Sequence, residues 1–277
     1  MTHQNTTTFS NIGDLLKEKM QEVDEVCPTH GCNLIVAFGK APICMECGKE
    51  EKARKEKEMA EEASLAYYKR NTYSWLSKHS IFLDDTLRDA SFDNYKTEDA
   101  ETRRNKEMAL NFAREYYKGA TYNTIFTGKA GTGKSHLSMS MLKVVNEYSK
   151  PYRKCLFVSV DEMMRRIKDS FNNKDSYYTE QRMIDLLTSA DLLVMDDLGA
   201  ETGAITSDKT ATDFTTRTLY AIINGRMNKP TIITTNLSSR DMAKMYDSKL
   251  ISRMFRGTDG HVISFKETND KRRMVEF

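Results

Sequence analysis

The chain contains the run Gly128-Lys129-Ala130-Gly131-Thr132-Gly133-Lys134-Ser135. It satisfies G-x-x-x-x-G-K-[ST] at every fixed position, and each fixed residue type has a physical task. Glycines let successive backbone N–H groups turn inward around an anion. A helix that starts there aims the positive end of its dipole at the same point. Lys134 can then reach the β- and γ-phosphates of a nucleoside triphosphate, and Ser135 can offer its hydroxyl to magnesium. His136, next in sequence, completes the cradle. The loop follows the apolar stretch from Thr124 to Thr127 and precedes a helical pattern from His136 to Tyr148, which is the context the motif needs.

A second constellation lies downstream. Leu192-Leu193-Val194-Met195 is apolar throughout and ends in Asp196-Asp197. A strand buried on both faces reads this way, and acids at its C-terminal end emerge where open α/β sheets bind ligands. Asp196 is assigned to the magnesium shell. Asp197 is assigned to orienting or deprotonating the attacking water. A third strand, Thr231 to Thr235, ends in Asn236. This residue either holds that water and senses the γ-phosphate or caps the helix that follows. In Leu250-Ile251-Ser252-Arg253-Met254-Phe255-Arg256-Gly257, Arg253 is either a surface arginine, which spacing alone favours, or an arginine finger reaching the γ-phosphate of a neighbouring molecule.

A different chemistry is written near the N-terminus. Four of the five cysteines crowd between Cys27 and Cys47, and Cys27-x-x-His30 and Cys44-x-x-Cys47 lie 13 residues apart. Each pair can grip one metal ion across a tight knuckle, and together they complete a closed tetrahedral zinc shell, structural rather than catalytic. Cys32 is an alternative to His30. Cys155 falls in a buried strand and reads as core.

These side chains must be held by something. Beyond Tyr117 the chain alternates strand, loop and helix. Strands are expected at 124–127, 155–160, 191–195 and 231–235, with helices at 136–148, 161–170, 181–187 and 212–227. Such alternation predicts a parallel sheet flanked by helices on both faces. A helix is also expected at 99–117. Toward the N-terminus, Phe9, Ile12, Leu15, Leu16 and Val23 recur at helical spacing, 33–38 suits a strand, and 49–68 is a charged, solvated helix. Residues 74–94 read as a linker leading into the second domain.

Composition narrows the classes. The chain has 277 residues with 42 basic and 40 acidic side chains, so any nucleic-acid contact must come from a local patch rather than net charge. No apolar run is long enough to span a bilayer, and Met1 to Ser10 lacks an apolar signal core. A cytoplasmic protein without membrane contact is expected.

Together, "FTGKAGTGKSHL", "LLVMDDLGAE", "TIITTNLS" and "LISRMFRGT" resemble the AAA+ ATPases, and within them the DnaC/DnaI helicase loaders and their IstB-like relatives. "SFDNY" at Ser91 to Tyr95 is similar to that family's opening of the ATPase domain. The resemblance runs from about residue 80 to the C-terminus. It implies an α/β fold, an AAA+ P-loop domain with a small N-terminal zinc-binding domain of the DnaI type. The expected division is a zinc-binding, helicase-docking domain at 1–70, a linker at 71–90 and the AAA+ ATPase at 91–277.

The resemblance further implies ATP hydrolysed to ADP, with Mg²⁺ and Zn²⁺ as companions. Asp196 and Asp197 become the metal and catalytic acids, Asn236 the first sensor, Arg253 a finger acting in trans, and Arg272 (or Arg273, one step on) the second sensor. Most relatives carry Glu at the second acid. Asp197 is shorter, so hydrolysis should be slow, and single-stranded DNA should stimulate it. The implied partners are a hexameric replicative helicase, single-stranded DNA and further copies of the chain meeting at the ATP site. Lys168, Lys174, Lys209 and Arg217 are candidate phosphate contacts. Two other readings compete: an IstB-like transposition helper, and an adaptor that uses ATP as a switch with incidental hydrolysis.

Overall fold

The computed structural model describes residues 20–173, 175–202 and 211–271. The chain divides into two compact units, one up to Tyr67 and one from Tyr68.

In the first unit, β1 (Met20–Val26) pairs antiparallel with β2 (Asn33–Ala37). A helix was expected to run through Val23. Instead Val23 faces Leu34 across the hairpin, while the rest of that expected helix lies outside the described residues. Cross-strand pairing and the Cys27–Cys32 turn override the helical spacing here, as tertiary context commonly does. Ile43 bridges back to Ile35, and α1 (Met45–Tyr68) follows with no buried residue. Its charged sequence matches that exposure, and the pairs Glu51–Lys55 and Arg54–Glu58 run along its surface.

The second unit opens with a single π turn at Lys69–Tyr73, α2 (Trp75–His79) and a 3₁₀ turn at Asp85–Asp89. Residues 71–90, expected to be a linker, are instead built into the domain. Ile81 hydrogen-bonds on both sides to the edge of the sheet, donating to the Phe157 carbonyl and accepting from the Ser159 N–H, each at 2.8 Å. Leu76, Ile81 and Phe82 are buried. Mixed polarity hides this segment in the sequence because only scattered side chains, not a periodic face, enter the core.

Then come α3 (Ala100–Lys118), β3 (Thr124–Gly128), α4 (Lys134–Tyr148), β4 (Cys155–Ser159), α5 (Val160–Ser170), α6 (Glu180–Ser189), β5 (Leu192–Leu198) and a 3₁₀ turn at Ala200–Thr202. The chain closes with α7 (Asp213–Asn224), β6 (Thr231–Thr235), α8 (Ser239–Met245), α9 (Ser248–Met254) and β7 (Val262–Phe265). Asp99 and Thr102 start α3 with a reciprocal capping box, and Gly119 ends it in the left-handed region at φ 106°.

Five strands form one parallel sheet in the order β4-β5-β6-β3-β7. Alternate residues of each strand serve opposite faces. Leu156, Val158, Leu193, Met195 and Ile233 pack beneath α5, α6 and α7. Phe157, Leu192, Val194, Ile232 and Phe126 pack beneath α3 and α4. Apolar burial on both faces, worth roughly 25 cal/mol per Å², explains the unbroken apolar runs in β4 and β5. Cys155 is fully buried, with its thiol pushed above the usual range by burial. No helix among the described residues is long and apolar enough to cross a membrane.

Candidate functional site

The phosphate loop leaves the C-terminal end of β3, which lies between β6 and β7. Gly131 and Gly133 adopt φ of 76° and 102°, a region that costs any residue with a Cβ about 1–2 kcal/mol. Space is also short. A Cβ on Gly131 would lie 1.7 Å from the Asp270 carboxylate, and one on Gly133 would lie 2.8 Å from the Tyr95 ring. Gly133 caps α4, so the amino end of that helix opens onto the loop, as anion binding requires.

Lys134 sits inside the loop, 5% exposed. Its ammonium donates to the carbonyls of Gly128 (2.8 Å) and Lys129 (2.7 Å) and to Asn236 Oδ1 (2.7 Å). The Asn236 amide nitrogen donates in turn to Asp197 Oδ1 at 2.8 Å. Asn236 therefore links the loop lysine to the acid on β5, two strands away from β3. The capping alternative falls to its neighbour, because Ser238 accepts from the Asp241 N–H and caps α8.

Consecutive strand residues normally face opposite sides of a sheet, yet Asp196 and Asp197 line one cavity. The β5–β6 register shifts between Met195 and Leu198, and Asp197 has φ 56°. This bulge turns the second acid back toward the loop, and a positive φ outside glycine is strain of the kind concentrated at functional sites. Thr234 pins the bulge, accepting from the Asp197 N–H at 2.9 Å and donating to Asp196 Oδ1 at 2.7 Å. Burial pushes the Asp196 carboxyl up to about 6, against hydrogen bonds from Thr234 and Ser135, with the Asp197 charge adding to the rise. A buried carboxylate next to a serine hydroxyl and a second acid is a donor set suited to a hard divalent cation. Lys134, Ser135, Asp196, Asp197 and Asn236 thus share a cavity of about 160 Å³.

A cavity of about 320 Å³ continues from it along Gly131, Lys134, Ser135 and His136 to Asp84, Leu87, Asn94, Tyr95 and Lys271. The His136 Nε2–H donates to the Ser91 carbonyl at 2.9 Å, its ring meets Tyr95 edge-on at 5.3 Å, and burial lowers its pKa. Of this wall, His136 was legible beside the phosphate loop, whereas Lys271 was not. Lys271 donates its backbone N–H to Gly131 O at 3.0 Å, and its ammonium lies 4.3 Å from the Tyr95 ring centre. Glu101 anchors the strap that carries Lys271, accepting from the N–H groups of Lys266, Glu267 and Thr268. Only "SFDNY" hinted at Tyr95. Nothing local marks Lys271, and Arg272 lies outside the described residues.

Arg253 lies elsewhere. The Asn123 side chain, just before β3, donates to the carbonyls of Arg253 (3.1 Å) and Met254 (3.0 Å). That is the N-terminal edge of the sheet, and β3 has five residues, so roughly 16 Å of strand separates it from the phosphate loop. The Arg253 guanidinium bonds Asn224 Oδ1 at 2.9 Å and stacks 4.6 Å from the Tyr220 ring. Lys168 and Arg217 lie on α5 and α7, while Lys174 and Lys209 lie outside the described residues.

In the first unit, ligand atoms of Cys27, His30, Cys44 and Cys47 lie within 4.8 Å of one another. Gly31 takes φ 65° at the first knuckle, and its N–H closes back on the Cys27 carbonyl at 2.8 Å. The Cys47 N–H points at Cys44 Sγ, 3.4 Å away. His30 Nδ1 faces the sulfurs of Cys47, Cys44 and Cys27 at 3.3, 3.6 and 3.8 Å. The His30 backbone N–H, aided by its ring, lowers the Cys27 thiol to about 6, and hydrogen bonds to the Cys27 and Glu50 side chains raise His30 to about 9. Three thiols and one imidazole converging this closely fit a closed zinc shell, so the cluster could bind zinc.

Residues 55–267 match the family of IstB-like ATP binding proteins. The chain is 27% identical over 257 residues to the replicative helicase loader DnaC of Escherichia coli strain K12, covering 92% of this chain and 94% of that protein. The crystal structure of the DnaC helicase loader superposes with a TM-score of 0.51 at 23% identity, covering 66% of this chain and 100% of that one. That of DnaI does so with a TM-score of 0.53 at 21% identity, covering 68% and 96%. These structural likenesses show the shared AAA+ fold.

Proposed function

We propose, from the premise that this chain belongs to the family of IstB-like ATP-binding proteins, that it is an ATP-dependent loader of a replicative DNA helicase onto single-stranded DNA. The observation that carries this reading is the near full-length similarity to a replicative helicase loader. The linked Lys134, Asn236 and Asp197 supply the switch such a loader needs.

The nucleoside lies in the larger cavity against Tyr95 and His136, and the phosphates lie in the loop. Lys134 leaves its loop carbonyls for the β- and γ-phosphates. Ser135 and Asp196 would hold magnesium, which would supply positive charge against the phosphates. Asp197 orients a water and accepts its proton as the water oxygen bonds the γ-phosphorus. The bond to the ADP oxygen breaks, releasing ADP and phosphate. Asn236 touches both the lysine and the acid, so it can report on the γ-phosphate. The short acid keeps turnover slow until DNA binds.

Arg253 lies too far from its own loop to act there, which supports a finger acting on the ATP of an adjoining copy. Arg272 would add a second cation to the γ-phosphate. The unit before Tyr68 holds zinc and docks on the helicase. DNA runs along α5 and α7, where Lys168 and Arg217 accompany Phe171, 60% exposed and edge-on to Phe214. Exposed aromatics among cations suit single strands. The setting is cytoplasmic. The test is co-purification of the zinc-loaded chain with the hexameric replicative helicase of its own cell. Retention of the hexamer supports loading. Its absence, with a transposase retained instead, overturns it.

A further inference from the structure

Four donors converge in the metal cluster, those of Cys27, His30, Cys44 and Cys47, and a fifth, Cys32, lies beside it. Cys32 Sγ lies only 3.4 Å from Cys44 Sγ, which makes it the rival of His30 for the fourth position. One feature distinguishes the two. His30 has a partner on its far nitrogen: Nε2 lies 3.2 Å from Glu50 Oε1, on the second turn of α1. Its Nδ1 faces the three sulfurs.

We propose that Glu50 is the positioning residue that selects His30 over Cys32, making the centre Cys27-His30-Cys44-Cys47 bound through His30 Nδ1. This rests on the reading of the cluster as a zinc centre. A carboxylate accepting from the Nε2–H fixes the tautomer with its lone pair on Nδ1. It also holds the ring edge toward the sulfurs and raises the basicity of the ligating nitrogen. Among the described residues no carboxylate supports Cys32 in this way, and a fourth thiolate would crowd another negative charge beside three others and Glu50. Glu50 comes from α1, whereas His30 comes from the β1–β2 turn, so the same contact also ties helix to hairpin around the metal.

The test is cobalt(II) substitution of the full chain, read by its d–d and thiolate charge-transfer bands, with zinc affinity by chelator competition. Wild type should show an S₃N spectrum. Glu50→Ala should shift toward S₄ as Cys32 enters. Glu50→Ala with Cys32→Ser should keep S₃N while zinc affinity falls about 10–100-fold. Glu50→Gln, which retains an acceptor oxygen, should stay closer to wild type. An S₃N spectrum and wild-type affinity in Glu50→Ala would overturn the role of Glu50, as would an S₄ spectrum in wild type. Failure of wild type to bind either metal would instead remove the zinc centre itself.

Discussion

Asn236 stands between Lys134 and Asp197, accepting from the ammonium at 2.7 Å and donating to the carboxylate at 2.8 Å. On the proposed reading, phosphate binding draws the lysine away from Asn236, and the amide then turns toward the nucleotide or the attacking water. One side chain thereby connects occupancy of the loop to the placement of the acid. Asn236→Ala should leave nucleotide affinity near wild type and lower the turnover number on the order of 10²-fold, the scale of losing one preorganised hydrogen-bond donor. Equilibrium binding of a fluorescent ATP analogue beside steady-state hydrolysis checks this. Equal losses in both would mean that Asn236 serves binding alone.

Arg253→Ala should bind ATP normally and lose about 10³-fold or more of its DNA-stimulated turnover. Mixing it with Lys134→Ala, which has an intact finger but an empty loop, should restore part of the activity. Restoration requires sites shared between chains. Undiminished turnover of Arg253→Ala alone would remove the finger.

Asp196 gives a pH dependence. Burial raises its folded pKa from 3.8 to about 6. Between those values the folded state holds a proton that the unfolded state has released, so the metal-free protein should lose stability as pH rises from about 4 to 6. Magnesium needs the ionised form. Magnesium-dependent nucleotide binding should therefore weaken as pH falls below about 6, by up to tenfold per pH unit. Titrating magnesium against a bound fluorescent nucleotide across this range tests it, and a flat response would place the metal elsewhere.

Ile81→Ala should lower the stability of the larger unit by about 2–5 kcal/mol, seen as a reduced urea midpoint with the zinc-binding unit unchanged. Ile81 is 2% exposed and bridges to Val158 at the sheet edge. A wild-type midpoint would mean that residues 71–90 behave as a tether after all.

The contrast between Ile81 and Lys134 shows what the sequence made legible. Lys134 belongs to a local spelling that has one structural solution, and β5 announces itself as an apolar run bounded by acids. Ile81, Tyr95 and Lys271 belong to no periodic face, and their partners lie far along the chain. The turn at Asp197 was hidden for another reason: whether two adjacent acids face together depends on a register shift against β6, set by Thr234. Val23 misled because helical spacing over a short stretch is weak against cross-strand pairing.

The proposed role has ATP held by this loop place a ring helicase on DNA. The most direct measurement is the amount of the partner helicase retained on closed circular single-stranded DNA, which has no end to thread. The wild-type chain with ATP should multiply retention, while Lys134→Ala should leave it at the level of helicase alone. Equal retention with wild type, with Lys134→Ala and without the chain would contradict it.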